Sequence, residues 1–190
     1  MSIRKRISKN MKIREDHYII EKSYPFANSI KDKILDQINN FSFIRDRYNS
    51  DGGASNVKAP QTYPIRDATN ISSVKFLLRW ILDLLPNYSN DNFKVENFWV
   101  IHYSQGDFTI SHRHYPAQWS WVYFVNSPKG SSPLVFTTSG KRIKAEEGKV
   151  VIFSGDILHH VPKNKCNDRI VLAGNIFSHL DTSESVYFSK

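Results

Sequence analysis

The sequence predicts one α+β domain, with helices packed on one face of an antiparallel sheet, and three observations lead there. Two segments with helical apolar spacing come first, short β-rich runs follow, and no stretch between them reads as a linker. The 190 residues are 40% hydrophobic and 13% aromatic, which suffices for a sizeable core and is unlike a disordered or collagenous chain. The expected division is a basic flexible arm over residues 1–14 and a single domain over 15–190.

After the arm, residues 18–26 alternate well enough for a strand, and residues 29–41 carry Ile30, Ile34, Leu35 and Ile38 at helical spacing. Residues 49–59 concentrate Gly52, Gly53, Ser55 and other small residues before Pro60 and Pro64, so an irregular loop is expected. A second helix is predicted over 71–85, opened by Asn70 or Ser72 and closed by Pro86. Its residues Val74, Leu77, Leu78, Ile81 and Leu85 share one face. From Asn92 the texture changes, and strands are expected over 98–103, 119–126, 134–138, 149–153 and 169–177. Turn residues between runs of this length predict an antiparallel sandwich or open barrel, with the two helices buttressing a sheet.

Six of the eight surplus positive charges, Arg4, Lys5, Arg6, Lys9, Lys12 and Arg14, precede the first acidic residue. The rest of the chain is nearly balanced, so the charge describes a solvated arm better than a nucleic-acid reader. No apolar run reaches the length of a membrane span and no apolar stretch follows the basic N-terminus, so a soluble, intracellular, cytoplasmic protein is expected. The single cysteine, Cys166, excludes an internal disulfide and a CxxC metal site. Any metal must rest on histidines and carboxylates.

Five of the seven histidines lie between His102 and His160, and two form Ser111-His112-Arg113-His114. Residues i and i+2 of a strand point to the same face about 6.6 Å apart, so His112 and His114 can converge on one cation. A further histidine follows in Gly155-Asp156-Ile157-Leu158-His159-His160-Val161-Pro162, where an antiparallel sheet can return it beside the first two. Arg169 then opens an apolar strand, where a buried guanidinium needs an anion. HxH alone is a weak signal. Joined to a later histidine and an arginine on the next strand, it is a specific one.

The carrying segments read W-V-I-H-Y-S-Q-G-D-F-T-I-S-H-R-H from Trp99, S-W-V-Y-F-V-N-S-P from Ser120, G-K-V-V-I-F-S-G-D-I-L-H-H-V-P from Gly148 and R-I-V-L-A-G-N from Arg169. This stretch resembles the iron(II)- and 2-oxoglutarate-dependent dioxygenases, in particular small oxygenases related to the prolyl hydroxylases. The segment from Asp51 to Gln61 also looks like the small-residue loop that precedes the second helix in such proteins. The resemblance implies a double-stranded β-helix, or jelly roll, that holds iron(II) near one mouth. It implies His112 and His159 as ligands, Arg169 as the anchor for the far carboxylate of 2-oxoglutarate, and Tyr103 facing that cosubstrate; a core tyrosine is the alternative for Tyr103. The activity implied is hydroxylation of a C–H bond with oxygen, coupled to decarboxylation of 2-oxoglutarate to succinate.

The sequence departs from the family at the third ligand, where His114 stands in place of the usual carboxylate. His114 is therefore read as the third ligand, with Asp107 or Asp156 as the alternatives. By the H-x-V-P register the distal ligand is His159 rather than His160, while His102 and His179 read as structural histidines with backbone partners. Strand parity counted from the family pattern points Phe124 rather than Tyr123 inward, toward the cosubstrate, and Trp119 is the tryptophan expected at the substrate entrance. Two rivals remain: a cupin-like three-histidine metal protein that does without 2-oxoglutarate, and a jelly-roll binding protein without turnover. The primary substrate, whether protein, small molecule or nucleic acid, and the oligomeric state are not legible.

Overall fold

The computed structural model describes residues 17–45, 55–66, 71–86 and 92–179. The expected arm over residues 1–14 lies outside them, as do Asn70 and most of the expected loop over 49–59. Among the described residues the chain runs β1 (Ile19–Ser23), α1 (Ala27–Ile38), β2 (Val57–Lys58), α2 (Val74–Asp83), β3 (Asn92–Tyr103) and β4 (Phe108–His112). It continues through β5 (Trp119–Asn126), β6 (Leu134–Phe136), β7 (Arg142–Ile143), β8 (Lys149–Ser154), β9 (His159–Val161) and β10 (Arg169–His179).

The strands form two antiparallel sheets of five, ordered β1-β8-β5-β10-β3 and β2-β4-β9-β6-β7. They stack as a jelly-roll-like β-sandwich. One core fills the space between them, with Ile101, Phe124, Phe153 and Val171 from the first sheet meeting Val57, Leu134, Phe136 and Val161 from the second. A second core lies on the outer face of the first sheet, where Trp121, Tyr123, Val150 and Leu172 meet Ile34 and Ile38 of α1 and Val74, Leu77 and Ile81 of α2. The first sheet is thus covered on both faces. That is why β5 reads as a nearly unbroken apolar run, Trp-Ser-Trp-Val-Tyr-Phe-Val, instead of alternating.

Both helices are shorter than their apolar periodicity suggests, and α2 is not opened by the capping hydroxyl expected at Ser72. It begins after Ser73, whose hydroxyl donates to Gln37 Oε1 at 2.6 Å while the Ser73 amide leans on the same oxygen at 3.4 Å. A side chain of α1 therefore satisfies an orphan donor at the start of α2 and ties the two helices together. The longest ladder joins β3 and β10 over eleven residue pairs, Arg169 opposite Tyr103 through His179 opposite Asn92. Gly174 lies within it because a Cβ there would sit 2.8 Å from the Asn97 carbonyl oxygen and 2.9 Å from the Trp121 ring. The strand β4, which ends at His112, and the three-residue β9 carry two of the three metal-binding candidates in the second sheet, where they pair His112 opposite His159.

Candidate active site

The pairing of β4 with β9 brings together histidines 47 positions apart in the chain. His112 and His159 face each other with ring centroids 4.4 Å apart, and His114, just beyond β4, lies 4.8 Å from His112 and 5.1 Å from His159. One ligand nitrogen from each of the three comes within 4.8 Å of the others, close enough for a single ion. His112 Nδ1 donates to the Ile110 carbonyl at 2.8 Å and His159 Nδ1 to the Ile157 carbonyl at 2.9 Å. Each bond consumes the Nδ1 proton and leaves the Nε2 lone pair for a metal.

His114 is held through its backbone, its amide donating to the Gly155 carbonyl at 2.6 Å. Gly155 is required there, because a Cβ at that position would collide with the carbonyl oxygen of Ala117. Burial and the neighbouring imidazoles push His114 well below the ordinary histidine range, and burial takes His159 down to about 3. His112 is lowered as well, chiefly by burial. All three are neutral near pH 7, the state that ligates.

Neither alternative carboxylate joins this cluster. Asp107 is buried in an ion pair with Arg45 at 2.6 Å and accepts the Ser104 amide at 2.8 Å, while Asp156 accepts the Ser154 hydroxyl at 2.6 Å. His160 points away, its Nδ1 2.9 Å from the Thr137 hydroxyl. His102 meets the Asp168 carboxylate at 3.0 Å, so its partner is a side chain and not the backbone group expected. The side chain of His179 lies outside the described residues.

Behind the imidazoles a slot runs between the sheets, lined by Ile101, Leu134, Phe153 and Val171 among others, with Arg169 at its wall. Its volume of about 40 Å³ has room for about three waters by the same measure, which suits a slender chain and not a ring. Arg169 is 1% exposed; its Nε donates to the Ser132 carbonyl at 3.1 Å and its guanidinium lies 4.5 Å from the centre of the Tyr103 ring. One guanidinium nitrogen, Nη1, is buried without a partner among the described residues, a costly state that a bound anion relieves. Burial lowers the guanidinium's pKa and raises that of the Tyr103 phenol, whose oxygen is 2.6 Å from the Thr109 hydroxyl. Tyr103 lines the slot, and Phe124, not Tyr123, is on the inner face of its sheet, its ring centre 5.5 Å from the Arg169 guanidinium, as the parity counted from the family pattern predicts.

In front of the imidazoles opens a wider groove of about 790 Å³ that reaches His112, His114 and Trp99. The tryptophan at this entrance is Trp99, whose ring centroid is 5.9 Å from that of His114. Trp119, expected there, is turned to the helix side of its sheet and is 8% exposed. Its parity with Trp121 and Tyr123 on β5 was the signal that could have excluded it. Trp99 and Thr109 fall inside the segment that carries the resemblance without being singled out there, and Ser132 falls outside the quoted segments; all three are recognised only as neighbours of His114, Tyr103 and Arg169.

No known family profile matches the chain, and no curated protein matches it in sequence. Solved structures do match its fold. A prolyl hydroxylase from Trichoplax adhaerens, in complex with a hypoxia inducible factor peptide fragment, superposes with a TM-score of 0.65 at 14% identity, covering 90% of this chain and 87% of its own. A prolyl-4-hydroxylase from Pseudomonas putida gives 0.64 at 15% identity over 86% of this chain and 94% of its own. The viral collagen prolyl hydroxylase of Paramecium Bursaria Chlorella virus-1, in complex with 2OG, gives 0.58 at 14% identity over 84% and 95%. The chain therefore has the fold shared by these prolyl hydroxylases.

Proposed function

We propose that this protein is an iron(II)- and 2-oxoglutarate-dependent oxygenase that hydroxylates a C–H bond, and that its sandwich is the double-stranded β-helix of that class. The observation that carries this reading is one slot with three neutral, pre-oriented imidazoles at one end and a buried, incompletely paired guanidinium along it. Such a donor set suits iron(II), since imidazole ligates it well and the two fixed Nδ1 bonds aim the lone pairs. His112, His114 and His159 would hold the metal. Arg169 would take the far carboxylate of 2-oxoglutarate in a charge-assisted pair, with Tyr103 and Thr109 beside it.

When bound, iron(II) with 2-oxoglutarate and oxygen supplies an oxidant strong enough for an unactivated C–H bond. The chain's own groups bind and orient. Phe153, Leu134 and Val171 keep water from the slot, and the wide groove admits the substrate to the opposite side of the imidazoles. Three imidazoles leave the ion its full double charge, where a carboxylate ligand would cancel half of it. That feature favours a second reading, a three-histidine metal protein without 2-oxoglutarate, and Arg169 separates the two.

The test is anaerobic loading with iron(II), titration with 2-oxoglutarate, and admission of oxygen. Succinate release that depends on both His159 and Arg169 supports the oxygenase; iron binding with no 2-oxoglutarate binding supports the cupin-like rival. Among the described residues no helix is long and apolar enough to cross a membrane. We take the chain as a cytoplasmic protein with a dispensable arm over residues 1–14, on its composition alone.

A further inference from the structure

The groove in front of the imidazoles has a charge character that the slot behind them does not explain. Its lining contains two charged side chains, Arg66 and Arg113, beside the neutral His112 and His114, and no aspartate or glutamate among the described residues. Both arginines are exposed, and neither takes part in an ion pair among the described residues. Arg113 lies between His112 and His114 in the chain and lines the same groove, so its charge and that of a cation held there would act on one ligand.

One uncharged feature points the same way. The indole N–H of Trp99, beside His114, is buried without an acceptor among the described residues, so the wall offers a further donor next to the histidines. Flat surfaces are also present, since Tyr63 and Tyr115 line the groove with most of their area in solvent. A site with two guanidinium groups, a spare indole donor and exposed aromatic faces recognises acceptor oxygens and a planar ring together.

On the reading that the imidazoles hold the reacting metal, we propose that this groove is the primary-substrate site and that it selects a small organic anion, a carboxylate or phosphate ester carrying a planar ring. The volume of about 790 Å³ lies in the range of small-molecule sites. Nucleic acid is disfavoured by the same count, because a strand needs a track of phosphate contacts and the groove supplies two cations.

Calorimetric titration of the full chain tests this with 3-phenylpropionate and phenyl phosphate against the neutral 3-phenylpropanol and the cationic 3-phenylpropylamine. Each is run with and without manganese(II) and 2-oxoglutarate filling the inner site. Both anions are expected to bind at least tenfold more tightly than the neutral and cationic analogues. Arg66→Gln with Arg113→Gln should remove that preference, Arg113→Lys should keep part of it, and Arg169→Gln should leave it intact. Equal binding of neutral and anionic probes overturns the proposal. So does a loss that follows Arg169 instead of Arg66 and Arg113, since the anion then sits in the inner slot. Tighter binding of a tetrathymidylate or a tetraglutamate peptide than of either ring anion also overturns it. Failure of 2-oxoglutarate to bind, with anion selectivity retained at Arg66 and Arg113, overturns the oxygenase reading alone.

Discussion

His159 and His160 are chain neighbours with opposite surroundings, because successive side chains of a strand leave it on opposite faces. His159 is 4% exposed and meets His112 and His114, whereas His160 faces the Thr137 hydroxyl. His159→Ala should therefore abolish stoichiometric metal binding, and His160→Ala should retain it, as read by metal content after dialysis. The reverse pattern would reject the triad. At Arg169 the decisive feature is a buried guanidinium nitrogen with no partner. Arg169→Ala should weaken 2-oxoglutarate by tenfold or more while leaving iron(II) affinity within about twofold, and Arg169→Lys should recover only part, since a point charge replaces a fork. Unchanged 2-oxoglutarate affinity in the alanine variant would remove Arg169 from the site.

At the scale of elements, the segment between β4 and β5 and the turn before β9 are locked by close backbone approach at Gly155, whose carbonyl accepts the His114 amide and whose own amide donates to the Gln118 carbonyl at 3.0 Å. A methyl group at 155 has no space against the Ala117 carbonyl, so Gly155→Ala must push this segment outward. Metal affinity should fall at least tenfold, and the His112–His159 pairing should survive as a weaker two-histidine site. Native metal affinity in this variant would show that the segment does not position His114. The helices make a different contribution. Leu77 of α2 is fully buried against the outer face of the first sheet, far from the imidazoles in the packing order. Leu77→Ala should cost about 3 kcal/mol in a urea titration and leave metal stoichiometry unchanged.

Over the whole molecule, three imidazoles held neutral make the metal-free fold sensitive to acid. Each has a folded-state pKa below its unfolded value of about 6.5, His159 at about 3. Below pH 6.5 the unfolded chain then binds more protons than the folded one. The stabilisation is complete above pH 6.5 and is lost as the pH falls toward the folded values, at up to about 1.4 kcal/mol per pH unit for each histidine. The urea midpoint of the metal-free protein should decrease from pH 7.5 to 5.5, and His159→Gln should flatten that decline. A midpoint that holds steady or rises on acidification would contradict the neutral state of the cluster.

Composition, periodicity and spacing determined much of this protein in advance: two helices before a β-rich region and a set of histidines with an arginine beyond them, to which the family pattern added the inward parity of Phe124. These are local properties, written in side-chain period and in motif spacing, and they survive without knowledge of partners. What local pattern could not settle was which strands pair. The short strands β2, β7 and β9 are two or three residues long, too brief to carry a period, and only the ladder of β4 on β9 sets His159 beside His112. Packing also settled the entrance tryptophan, since the helices claim the face of the sheet that carries Trp119, Trp121 and Tyr123 and leave Trp99 at the groove. Burial decided the rest. Asp107 and Asp156 are candidate ligands in the sequence, and it is tertiary packing that commits the first to Arg45 and the second to Ser154, so that the cluster that could hold a metal consists of three imidazoles.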